Sequence, residues 1–108
     1  MEEAAAVPGR AALEEAGRLL GRAAVHYAVY LCGPGFAEGD RLRARAAAIL
    51  GHYFPTPEEY GWMAAAAEAA GRAALEELCR EGGGGISRRL AEQRFRQQMA
   101  ELVEIYRL

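Results

Sequence analysis

The sequence predicts an all-α, single-domain protein built as an up-and-down four-helix bundle with close packing through Ala and Gly. β-Branched aliphatic residues are limited to four Val and three Ile, while Ala alone numbers 24 of 108 residues. Four stretches of about fifteen or more residues, rich in the good helix formers Ala, Leu, Glu and Arg, run between breakers. A chain of this length supports one core. The breakers are Pro8-Gly9, Cys32-Gly33-Pro34-Gly35, Phe54-Pro55-Thr56-Pro57 and Gly82 to Gly85. They place helices near residues 9–32, 39–53, 57–81 and 87–107, with residues 1–8 expected to be disordered.

The first helix is apolar nearly all round from Ala23 to Cys32, the pattern of a helix covered on most sides. Three neighbours in a small bundle barely cover such a surface, so a second copy of the chain is expected to help. In the second helix, Asp40 is the expected cap, and Leu42, Ala46, Ile49, Leu50 and Tyr53 form the inward stripe. The third starts at a capping box, with Thr56 as cap, Pro57 in the first turn and Glu59 three residues after the cap. Its end is set by the glycine run, which supplies left-handed conformations. Ser87 caps the fourth, whose inward stripe is Ala91, Phe95, Met99, Leu102 and Tyr106. Arg88 and Arg89 then sit unfavourably at the positive end of the helix dipole.

Small residues form two ridges at helical spacing, Gly17, Gly21, Ala24 and Ala28 on the first helix and Ala64, Ala67, Gly71 and Ala74 on the third. A mid-helix Gly costs about 1 kcal/mol against Ala, so two of them on one face predict close packing between these helices. The tetrapeptide Gly-Arg-Ala-Ala recurs at Gly21 and Gly71 but extends to no convincing repeat.

Charge and cysteine content narrow the function classes. The formal net charge is −2, so no global positive field attracts nucleic acid or an anionic membrane. The segment Met1-Glu2-Glu3-Ala4-Ala5-Ala6-Val7-Pro8 lacks the basic and apolar regions of a secretory signal, and a cytoplasmic location is expected. No uncharged stretch approaches the roughly 20 residues of a membrane span. The two cysteines, Cys32 and Cys79, are expected to be reduced.

Catalytic and metal constellations are sparse. His26, Cys32, His52 and Cys79 have the ligand count of a zinc site without the paired spacing, so neither a metal nor another cofactor is expected. The adjacent pairs Glu14-Glu15, Glu58-Glu59 and Glu76-Glu77 point about 100° apart on a helix and face no common substrate. Glu68, Arg72, Glu76 and Arg80 form an i, i+4 ladder, the sign of a solvent face. Ser87 and Thr56 have capping roles, and the glycine run lacks the Lys-Ser/Thr of a phosphate loop.

Arg45 and His52, with six residues between them, resemble the Arg-x4–6-His pattern of HEPN ribonucleases, which are small helical bundles that often work as dimers. The resemblance covers about nine residues, and Ala46 stands where that family commonly has a polar residue. It implies metal-independent RNA cleavage, with His52 as general base and Arg45 stabilising phosphate charge.

Arg41, Arg43 and Arg45 on the second helix and Arg88, Arg89, Arg94 and Arg96 on the fourth form a basic face if those helices are neighbours. The favoured expectation is that they pair internally, Glu92 with Arg96 and the acidic third helix with the basic fourth. Tyr53, Phe54, Tyr60 and Trp62 gather beside Pro55 and Pro57, either as a clasp on the bundle end or as anchors for a partner. The expected function is a small non-enzymatic interaction module, an adaptor or accessory subunit that pairs with itself or another protein. The alternative is a nucleic-acid-associated protein using the Arg face, with the HEPN-like ribonuclease as its catalytic variant.

Overall fold

The computed structural model describes residues 7–82 and 85–107. Four α-helices follow one another, α1 (Arg10–Val29), α2 (Gly33–Leu50), α3 (Pro57–Arg80) and α4 (Arg88–Leu102), and a 3-10 turn at Glu104–Tyr106 closes the described chain. Of the segment 1–8, only Val7 and Pro8 lie within the described residues, and Gly83 and Gly84 of the glycine run lie outside them.

Local chemistry sets the helix ends. Thr56 accepts a hydrogen bond from the Glu59 main-chain N–H while the Glu59 carboxylate accepts one from the Thr56 N–H, completing the expected capping box. The Ser87 hydroxyl accepts from the Leu90 N–H in the same way. Gly82 sits at φ +72° just past α3, in the conformation expected of the glycine run.

α2 departs from expectation. It begins at Gly33 rather than near residue 39, so Asp40 is inside the helix instead of capping it. The segment Gly33-Pro34-Gly35 starts the helix because Pro is suited to the first turn, where its missing N–H has no intrahelical partner to lose. Glycine is required there for approach as well. A Cβ on Gly35 would lie 2.3 Å from Cγ of Tyr30, and one on Gly39 would lie 3.1 Å from the Tyr27 ring. Asp40 instead accepts the hydrogen bond of the Tyr27 hydroxyl, tying α2 to α1.

The bundle is organised around α1, which packs on each of the other three helices, whereas α2 barely touches α3 or α4. Gly17 lies against the Met63 backbone and Gly21 against that of Ala67, so α1 and α3 run parallel at close range. An added Cβ would meet the Met63 carbonyl oxygen at 2.2 Å and the Ala67 oxygen at 2.1 Å. Gly71 leaves room for the Phe95 ring of α4, and α4 runs antiparallel to α3, with Arg88 beside Glu76 and Arg72 beside Glu92. The predicted ridges therefore do what their spacing implies.

The core comprises Leu13, Leu19, Leu20 and Val25 of α1, with Leu42, Met63 and Phe95 from the three surrounding helices. Ala23, Ala24, Val25, Tyr27, Ala28 and Val29 are all buried within the single chain. The apolar segment is thus covered by α2, α3 and α4 as far as Val29, whereas Leu31 and Cys32 at its end are exposed. The inward stripes of α2 and α4 hold, with Leu42, Ala46, Leu50, Ala91, Phe95 and Leu102 buried and Ile49, Tyr53, Met99 and Tyr106 packed partly against them.

Candidate functional site

The aromatic corner divides. Tyr53, Tyr60 and Trp62 pack against the core, and Pro55 is fully buried between them in sequence. The Tyr53 hydroxyl donates to the Glu59 carboxylate at 2.5 Å, which ties the end of the α2–α3 connection to the α3 capping box. That bond raises the Tyr53 pKa, and together with the Thr56 N–H it holds Glu59 below the usual carboxylate range. The Arg10 guanidinium lies 4.6 Å over the Trp62 ring. Phe54 alone projects, 67% exposed. The arrangement matches a clasp on the bundle end more closely than a groove with four free anchors.

Arg45 lies on the exposed face of α2, and His52 is exposed in the turn beyond its end, after Gly51 at φ +57°. Neither side chain is held by a hydrogen bond or an ion pair among the described residues. The pair does not share one continuous helix face, because α2 ends at Leu50. Among the described residues there is also no group of three or more His, Cys, Asp or Glu placed to hold a metal ion.

Arginines expected to line a basic face serve different ends. Arg88 makes a two-pronged contact with the Glu76 carboxylate, at 3.2 and 2.5 Å, which gives the first turn of α4 an anionic partner and lowers the Glu76 pKa. Arg41 pairs with Glu38 on its own helix. Glu92 approaches Arg72 of α3 at 3.9 Å rather than Arg96. Arg94 turns inward to hydrogen bond with the carbonyl oxygens of Ala28 and Tyr27. Arg43, Arg45, Arg89 and Arg96 have no ion pair among the described residues. α2 and α4 hardly touch, and Arg43 of α2 and Arg94 of α4 line one cleft between them.

The gap between α2 and α4 is the more distinctive feature. Where α1 ends, a cleft of about 380 Å³ is lined by Tyr27, Phe36, Arg43, Arg94, Glu101 and Leu102, among others. A second, more apolar cleft of about 470 Å³ lies alongside, walled by Val29, Cys32, Ile86 and Leu90. The two share Tyr30, Leu31 and Arg94 and so adjoin across the end of α1. Leu31 is 76% exposed, Leu90 46% and Phe36 36%. Burial raises the Tyr27 pKa, and its bond to Asp40 raises it further.

Leu31, Phe36 and Leu90 were not singled out by the sequence patterns, although a signal for them exists. Leu90 falls one position off the inward stripe of α4, and Leu31 and Phe36 flank a Gly-Pro-Gly segment that reads as a connection rather than as a surface. No family model, characterised relative or solved structure matches the chain.

Proposed function

We propose that the protein is a helical protein-interaction module, an adaptor or accessory subunit, whose contact surface is the groove where α1, α2 and α4 meet. One observation carries the reading: the exposed Leu31 lines two adjoining clefts, with Phe36 in one and Leu90 in the other, instead of entering the core. Exposed apolar side chains scattered singly are ordinary, but a contiguous group around a concavity is the signature of an interface. The groove lies between helices fixed to a common central helix, so it offers a preformed surface of the kind that receives a helical or looped segment.

The arginine placement favours this reading over nucleic-acid binding, because Arg41, Arg88 and Arg94 are engaged within the chain. A photo-crosslinking residue at Leu90, with a control at the exposed Ala69 on α3, tests the proposal in cells. A dominant protein adduct from position 90, absent from position 69 and lost when Leu31→Glu is added, is the expected result. Absence of any adduct at position 90 overturns it.

A further inference from the structure

We infer that the occupant of this groove is a second copy of the same chain, docked about a two-fold axis so that Arg43 of each copy meets Glu101 of the other. The inference rests on the reading of the groove as an interaction surface. Its first support is shape. Leu31, the most exposed of the large apolar side chains, stands on the rim of the very groove it lines. A projecting side chain and a concavity on one face satisfy the condition for an isologous contact, in which each copy inserts its own residue into the other. A projection and a hollow on different faces would instead propagate into a filament.

Charge supplies the second support. Arg43 on α2 and Glu101 on α4 line the same cleft from opposite walls, yet they form no ion pair among the described residues. Arg94, the other cation there, is already directed at the carbonyl oxygens of Tyr27 and Ala28. Arg43 also approaches the Tyr27 hydroxyl, but like Glu101 it has no ion pair among the described residues, so besides Arg94 the cleft lining holds one cation and one carboxylate without an ion-pair partner. A two-fold rotation exchanges its walls, placing cation against anion twice. A foreign segment of uniform charge would leave one of the two unpaired. The formal net charge of −2 per chain opposes self-association only weakly.

The test is analytical ultracentrifugation of the full chain with charge-swapped variants. Wild type is expected to sediment at twice the chain mass, and Leu31→Glu and Leu90→Glu to give folded monomers by circular dichroism. Arg43→Glu and Glu101→Arg, each alone, place like charges across the interface and are expected to be monomeric. Their equimolar mixture is expected to form a heterodimer, since one copy then carries two carboxylates and the other two guanidinium groups. A pairing within one chain cannot give that rescue, so failure of the mixture to dimerise overturns the proposal. A dimer unaffected by Leu31→Glu and Leu90→Glu also overturns it. A wild-type monomer that still gives a foreign adduct from position 90 overturns self-pairing alone. A monomer without any adduct overturns the groove reading as well.

Discussion

The Arg94 side chain of α4 donates from Nε to the main-chain oxygen of Ala28 at 2.6 Å, across a sequence separation of 66 residues. Its Nη2 donates to the Tyr27 oxygen at 3.0 Å. These carbonyls belong to the last turn of α1, where the helix leaves acceptors without intrahelical donors and the dipole is negative. A guanidinium fills both needs with a fixed fork that an ammonium lacks.

Removing that fork with Arg94→Ala is expected to lower stability by about 1.5–3 kcal/mol, the usual range for a hydrogen bond to a charged group. Arg94→Lys restores the charge but not the two-point geometry and is expected to fall between the two. Urea denaturation of the three proteins checks the order, and equal midpoints would remove Arg94 from the structural role given to it.

Glycine substitutions should have opposite signs at two positions. Gly21→Ala forces a Cβ to within 2.1 Å of the Ala67 oxygen, and because both partners are backbone the helices must separate. A loss of about 1–3 kcal/mol is expected, the common cost of overpacking. At Gly61, on the exposed face of α3, no heavy atom lies within 4 Å of an added Cβ. Gly61→Ala should therefore stabilise by about 0.5–1 kcal/mol through helix propensity. Thermal melts of both variants read the difference.

Acid should weaken the α3 cap. Glu59 is held below its ordinary pKa by Tyr53 and then by Thr56, and Glu76 by Arg88. A carboxylate bound less tightly to its proton in the folded state contributes stability that is present above the unfolded pKa. That contribution is lost as pH falls through the folded value. The melting temperature is thus expected to drop from the ordinary glutamate range downward, near pH 4.5 and below. Glu59→Gln should flatten part of that slope, and an unchanged slope would locate the acid sensitivity elsewhere.

The two aromatic roles in the corner are separable. Phe54→Ser removes a ring that is mostly in solvent and is expected to shift stability by less than about 0.5 kcal/mol. Trp62→Ala removes a ring that packs on the core and carries Arg10 above it, and should cost several times as much. Matching denaturation midpoints would mean that Trp62 is as dispensable to the fold as Phe54.

Much of the architecture was legible because it rests on local signals. The α3 cap is written in Thr56, Pro57 and Glu59, and the close approach of α1 to α3 in Gly17 and Gly21. The start of α2 was not, because Gly33-Pro34-Gly35 is read as a break unless the rings of Tyr27 and Tyr30 are known to press against that turn. Arg94 could not be assigned from sequence for a related reason: its acceptors are main-chain atoms, which every residue has. The groove escaped because Leu31 and Phe36 have the composition of core residues, and only tertiary placement distinguishes an apolar side chain that is covered from one that is not.

The dependence of α2, α3 and α4 on one shared helix sets how cooperativity is distributed. With α2 fastened almost wholly to α1, its detachment leaves the α1–α3–α4 contacts intact, so it forms a separate unit of opening. Amide hydrogens of α2 should exchange through this subglobal opening at a lower free energy than those of α3, whose Gly-mediated seam yields only when the whole chain unfolds. Both walls of the groove then belong to helices held chiefly by α1, the Arg43 wall to α2 and the Leu90 wall to α4, and both should loosen before the α1–α3 seam.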